Sequence, residues 1–121
     1  MADDELVEML AAESRRRIPA IQQSLKKLSR ASSPDSDAVE EMRVDVHGLK
    51  GAALVIGQHR LGQLADRAEQ LLAANVADGG IDLELAAQLT DVLDAFQAGA
   101  DAAAAGEPEP PSVAEALVAV P

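Results

Sequence analysis

The chain has 121 residues, the length of one domain, and carries a net charge of −11 with no cysteine. Without cysteine it forms neither a disulfide framework nor a thiolate metal site, and so acidic a surface repels phosphate backbones, which argues against nucleic-acid binding. No run approaches the roughly 20 apolar residues of a membrane span, and the start, Met1-Ala2-Asp3-Asp4-Glu5, lacks the basic-then-apolar pattern of a secretory signal. A soluble, cytoplasmic protein is the expectation.

Hydrophobic residues make up 48% of the chain, but aromatics only 1%, and Phe96 is the one example. A core built from Leu, Ala, Val and Ile with so few aromatics favours helices over sheet. The charge is uneven. All ten Lys and Arg lie between Arg15 and Arg67, while residues 68–121 carry acids and no bases. The acidic half is read as a solvated, solubilising face.

The first apolar series is Leu6, Met9, Leu10, Ile18, Ile21, Leu25 and Leu28, one stripe of a helix from about Asp3 to Arg30. Pro19 falls inside it and predicts a kink or a restart. The run Arg15, Arg16, Arg17 beside it is read as a solvated face without function. In Ser32-Ser33-Pro34-Asp35-Ser36-Asp37, Ser33 caps the next helix with Pro34 at its first position, or Ser36 caps it one turn later.

The second helix runs to about Ile56, with Val39, Met42, Val46, Leu49 and Ala53 as its buried stripe and Gly57 just past its end. The third runs from about His59 to Val76, with Leu61, Leu64, Ala65, Ala68, Leu71, Leu72 and Val76 on its apolar face, and Asp78-Gly79-Gly80 breaks it. The fourth starts near a capping Asp82, uses Leu85, Leu89, Val92, Leu93 and Phe96, and fades into alanines before Gly106. Gly106-Glu107-Pro108-Glu109-Pro110-Pro111 reads as a semi-extended linker, and Ser112–Val120 has a weak helical pattern. The expected architecture is all-α: an up-and-down four-helix bundle over residues 1–105, then a Pro/Glu-rich linker and tail over 106–121, with a short additional C-terminal helix and further domains beyond.

Chemistry concentrates in Val46-His47-Gly48-Leu49-Lys50-Gly51-Ala52-Ala53. Residues three and four apart share a helix face, so His47 has the cation Lys50 beside it and, at Gly51, no side chain. Neutral imidazole is a good nucleophile, and a carboxylate on one ring nitrogen fixes the tautomer and frees the other. That carboxylate has to come from a neighbouring helix. His47 lies about ten residues before the turn at Gly57-Gln58 and Glu69 about twelve after it. At ~1.5 Å rise per residue both stand roughly 15–18 Å from the turn. Glu69 is therefore the leading partner and Asp66, one turn earlier, its competitor. Arg43 stands one turn before His47 and is read as a partner-facing cation. Leu54 stands two turns after it and offers an apolar contact for a partner protein, or else the edge of the buried stripe.

His47-Gly48-Leu49-Lys50-Gly51, followed by Gly57 at the helix end, resembles the signature of histidine-containing phosphotransfer (HPt) domains. The leading helix with Glu5-Leu6-Val7-Glu8-Met9-Leu10 and the His47-to-Glu69 spacing resemble the N-terminal phosphotransfer domain of chemotaxis-type histidine kinases. The resemblance covers about residues 3–100. It implies that His47 is phosphorylated on Nε2, that Glu69 hydrogen-bonds Nδ1, that Lys50 neutralises the phosphoryl group and that Gly51 leaves room for the partner. It also implies no ATP site in this domain. A kinase catalytic domain supplies ATP and Mg²⁺, and the aspartate of a response-regulator receiver domain, with its own Mg²⁺, takes the phosphoryl group. On that reading the domain alone is a carrier and belongs to a larger histidine kinase. Two departures from the family pattern are Gly48, where a small polar residue is usual, and Pro19.

His59 stands outside any motif and is read as incidental. A di-iron bundle needs Glu-x-x-His pairs, but Val44 and Ile56 occupy the positions three before the two histidines. No Gly-x-Ser-x-Gly elbow supports a hydrolase. The remaining alternatives are an acidic helical docking module without phosphotransfer and a degenerate bundle that only scaffolds receivers. The intact His-Lys-Gly set argues against the second.

Overall fold

The computed structural model describes residues 2–30, 35–76 and 81–119. They form α1 (Ala2–Arg30), α2 (Ser36–Val55), α3 (His59–Val76), α4 (Leu83–Ala105) and α5 (Pro111–Ala119). Among the described residues there is no strand. Each of the first four helices packs on its chain neighbours and α4 closes against α1, so the four make a ring, with no close diagonal approach among the described residues. This is the expected up-and-down bundle.

The core follows the helical stripes. Val39, Met42, Val46, Leu49 and Ala53 of α2 are all buried, as are Leu61, Leu64, Ala65, Ala68 and Leu72 of α3. Leu85, Leu89, Val92, Leu93 and Phe96 bring α4 into the same cluster. On α1 the buried line is Leu10, Ala11, Ser14, Ile18, Ile21 and Leu25. Leu6 and Met9 depart from the expected stripe: Met9 is 66% exposed. The positions they would fill go instead to the small Ala11 and Ser14, which let α1 pack closely. Ser14 donates its hydroxyl to the Ala11 carbonyl at 3.1 Å, so its burial leaves no orphaned donor.

Pro19 does not restart the helix. α1 runs through it without a break, although Pro19 withholds the N–H that the Arg15 carbonyl would accept. Ile18 and Ile21, buried on either side, hold the helix to the core across the missing bond. The arginine run is tied up in surface ion pairs: Arg15 with Asp101 at 2.6 Å, Arg16 with Glu13 at 2.6 Å, and Arg17 with both Glu13 and Asp45. Exposed pairs of this kind contribute at most about 1 kcal/mol each.

The caps explain the boundaries. Asp35, not Ser36, caps α2, its carboxylate accepting from the Ala38 N–H at 3.0 Å. Aspartate is as good a cap as serine, and it lies one residue earlier. Ser33 and Pro34 fall outside the described residues, as does Asp78-Gly79-Gly80. Asp82 caps α4, accepting from Leu85 at 2.7 Å. At the far end of α2, Gly57 takes φ 82°, and the Gly57 and Gln58 N–H groups bond back to the Leu54 and Ala53 carbonyls. This Schellman motif turns the chain straight into α3 and makes α2 and α3 an antiparallel pair. Gly106, at φ 71°, ends α4 in the same way.

Residues 107–110 link α4 to α5 without helix or strand, and α5 does not leave the bundle. α5 packs on α4 and α3. Val113 is buried above Gly99, whose bare Cα also admits Leu61; a Cβ there would sit 2.5 Å from Leu61 Cδ2. The alanine-rich end of α4 is thereby covered, so α4 stays helical to Ala105.

Candidate functional site

α2 and α3 bring the site together on one outer face. Arg43, His47 and Lys50 lie at i, i+4 and i+7 of α2, a single stripe next to the buried one. Glu69 of α3 reaches across to all three. Its Oε2 stands 2.7 Å from His47 Nδ1 and 3.2 Å from Arg43 Nη1, and its Oε1 stands 2.6 Å from Lys50 Nζ. Asp66 does not reach the imidazole. It accepts from Lys50 at 3.2 Å and from Gln70 at 3.0 Å, so the competition between the two carboxylates resolves toward Glu69.

Glu69 is enclosed, its side chain only 12% exposed, whereas that of His47 is 62% exposed. Burial pushes the Glu69 carboxyl up, but hydrogen bonds from Lys50 and His47 and the charges of both outweigh it and hold the group below its ordinary value. Glu69 is therefore ionised near neutrality. An ionised carboxylate only accepts, so His47 Nδ1 carries the proton in this contact. In neutral imidazole that leaves the lone pair on Nε2, to which no described residue hydrogen-bonds. Lys50 is raised above its ordinary value, first by its hydrogen bond to Glu69 and further by Asp66, against its partial burial. Its ammonium is half-buried and faces these two carboxylates rather than open solvent.

Gly51 stands one turn beyond His47, and a Cβ built there would meet nothing within 4 Å. No contact among the described residues calls for glycine at that point. Gly48 lies on the α1 side, where a Cβ would come 3.3 Å from Arg17 Nη1. Leu54 is 44% exposed and rests on Gly62 of α3, where a Cβ would fall 2.5 Å from Leu54 Cδ2. It is thus both packed and presented: it lines a groove with Lys50, Gln63, Asp66 and Leu117. On the opposite flank of the site, Leu6, Met9, Gly51, Ala52, Val55 and Ile56 line an apolar groove between α1 and α2. Val55 is 86% exposed there. His59 sits at the start of α3, apart from the site.

Two features escaped sequence reasoning. Arg43 makes direct contact with Glu69, and Glu40, one turn before it, grips the same guanidinium, Arg43 Nε donating to Oε2 at 2.9 Å and Nη2 donating to Oε1. The signal was present in the 43/47/50 spacing, since any residue on that stripe faces the carboxylate that His47 meets. The groove between α1 and α2 depended on Leu6 and Met9 leaving the core, which periodicity does not announce.

The arrangement is thus a helical bundle with an exposed imidazole, that of His47, whose Nδ1 is held by a carboxylate across the α2–α3 pair. The family model of the Hpt domain matches residues 5–99, from α1 through most of α4, and the chain belongs to that family. Its role is accordingly histidine phosphotransfer in two-component signalling. No match was found among curated proteins. Among the described residues no helix is long and apolar enough to cross a membrane.

Proposed function

We propose that His47 accepts a phosphoryl group from the ATP-bound catalytic domain of a chemotaxis-type histidine kinase and passes it to the aspartate of a response-regulator receiver. The observation that carries this reading is the His47 Nδ1 to Glu69 Oε2 contact at 2.7 Å beneath an exposed ring. In the forward step the Nε2 lone pair attacks the γ-phosphorus, the bond to the ADP oxygen breaks, and the ring gains positive charge that Glu69 offsets through the Nδ1 proton. In the return step a receiver carboxylate oxygen attacks phosphorus and the N–P electron pair goes back to Nε2. Both steps demand positioning and charge neutralisation more than covalent work by the scaffold. ATP and Mg²⁺ come with the kinase domain, and Mg²⁺ with the receiver.

Lys50 supplies positive charge beside the incoming group, although its ammonium has to loosen from Asp66 to approach it. Gly51 leaves the passage open. Leu54 on one flank and the groove of Leu6, Met9 and Val55 on the other provide apolar contact for the partners, in keeping with the role of exposed apolar patches at interfaces. The chemotaxis-type assignment rests on the leading helix and on the His47-to-Glu69 spacing. The test is labelling with a chemotaxis-type kinase domain and Mg-ATP. Acid-labile, alkali-stable label on wild type and none on His47→Gln supports the proposal. Label retained in His47→Gln but lost in His59→Gln overturns the site, and no label from the cognate kinase returns the chain to the docking-module reading.

A further inference from the structure

Arg43 stands where a partner-facing cation is expected, one turn before His47, yet its charge is spent inside the domain. Glu40 holds it with two hydrogen bonds and Glu69 Oε2 accepts a third at 3.2 Å. That same oxygen receives His47 Nδ1 at 2.7 Å. Glu69 thus has one oxygen on Lys50 and the other shared by His47 and Arg43. The two cations hold it differently. Lys50 is a flexible point charge with a rival acceptor, Asp66, at 3.2 Å. Arg43 is a planar fork whose own orientation is set by Glu40, so it is the rigid donor of the set. Without it, Lys50 alone fixes the carboxylate, and Lys50 can turn toward Asp66. The oxygen that must meet Nδ1 then loses its second restraint.

We propose that Arg43, steadied by Glu40, is a positioning residue: it fixes the Glu69 carboxylate so that Oε2 holds the Nδ1–H tautomer of His47 and leaves Nε2 free to react. The proposal rests on the phosphocarrier reading for its kinetic consequence but not for its structural one. Arg43 touches no reacting atom; its effect passes through Glu69.

The test uses ¹⁵N NMR of the His47 ring at a pH well above imidazole's ordinary range, where the two ring-nitrogen shifts report which one carries the proton, together with phosphorylation kinetics. Arg43→Met is expected to reduce the Nδ1–H population visibly and to lower kcat about three- to tenfold with KM for the kinase domain unchanged, Arg43→Lys to recover part of both, and Glu40→Gln to fall between. A wild-type tautomer and kcat in Arg43→Met overturn the proposal. So does a raised KM with kcat unchanged, the mark of a partner contact. Should Arg43→Met fail to fold by circular dichroism, Glu40→Gln decides: an unchanged tautomer and kcat there refute the relay. If wild type takes no label at all, the phosphocarrier reading falls, while the tautomer measurement still judges Arg43.

Discussion

Replacing Glu69 by glutamine changes one atom and should disable the site in a specific way. Both carboxylate oxygens are acceptors in use: Oε2 for His47 and Arg43, Oε1 for Lys50. An amide offers one acceptor and one donor group. If the amide oxygen faces His47, the NH₂ faces the Lys50 ammonium, donor against donor. If the oxygen faces Lys50, the NH₂ donates to Nδ1, which forces the ring proton onto Nε2 and removes the attacking lone pair. Hydrogen bonds to charged groups are worth roughly 1.5–3 kcal/mol, and at about 1.4 kcal/mol per tenfold in rate, the loss is about ten- to a hundredfold in phosphorylation. Stability should drop by only about 1–2 kcal/mol, because His47 is open enough to regain water and Lys50 keeps Asp66 as an acceptor. The assay is the initial rate of labelling by the kinase domain at saturating ATP, with urea unfolding of both proteins in parallel. A rate within twofold of wild type in a folded Glu69→Gln protein refutes the reasoning.

Acid should act through the same carboxylate. Its folded-state pKa is lowered, so its contribution to stability is present above the ordinary value of 4.5 and is lost as pH falls through the folded value. Urea unfolding free energies should therefore converge for wild type and Glu69→Gln as the pH drops below that range; a gap that stays constant down to strong acid contradicts it. Gly51→Leu places its side chain in open space, so unfolding is expected unchanged or slightly improved, while phosphotransfer slows by tenfold or more; normal transfer would show that the partner does not pass over this turn. Gly48→Ala meets only the flexible end of Arg17 and should stabilise the bundle by about 0.5–1 kcal/mol, the ordinary helix gain of alanine over glycine, as read by urea midpoint; a net loss would mean that the Arg17 ion pairs matter more than their exposure suggests. Gly62→Ala forces Leu54 aside and should cost roughly 1–3 kcal/mol, with Leu54→Ala restoring most of it; full additivity in the double-mutant cycle would show that the two do not press on each other.

The bundle was legible because α2, α3 and α4 each carry a regular apolar period and the breaks between helices hold turn residues. The His47–Glu69 pairing was legible for a geometric reason: an antiparallel pair joined by a tight turn puts residues equidistant from the turn at equal height, and Gly57 makes the turn tight. What escaped depended on contacts that period and spacing do not encode. Asp35 and Ser36 are both good caps, and one residue of chain decides between them. Pro19 stays helical because Ile18 and Ile21 are held by the core, a tertiary effect that overrides a local one. The docking of α5 turns on Val113 finding the bare surface of Gly99, and the weak pattern of the tail does not say which surface it meets. The triple use of Glu69 needed side-chain directions; from spacing alone Arg43 read as a free cation facing a partner.

The central claim is that Nε2 of His47 is the atom that carries the phosphoryl group. It is tested most directly by phosphorylating the ¹⁵N-labelled domain with its kinase and following phosphorus-to-nitrogen coupling in the histidine rings by NMR. The account predicts a coupled phosphorus on Nε2 of His47, with Nδ1 still protonated against Glu69. Phosphorus on Nδ1, on His59 or on no histidine would contradict it.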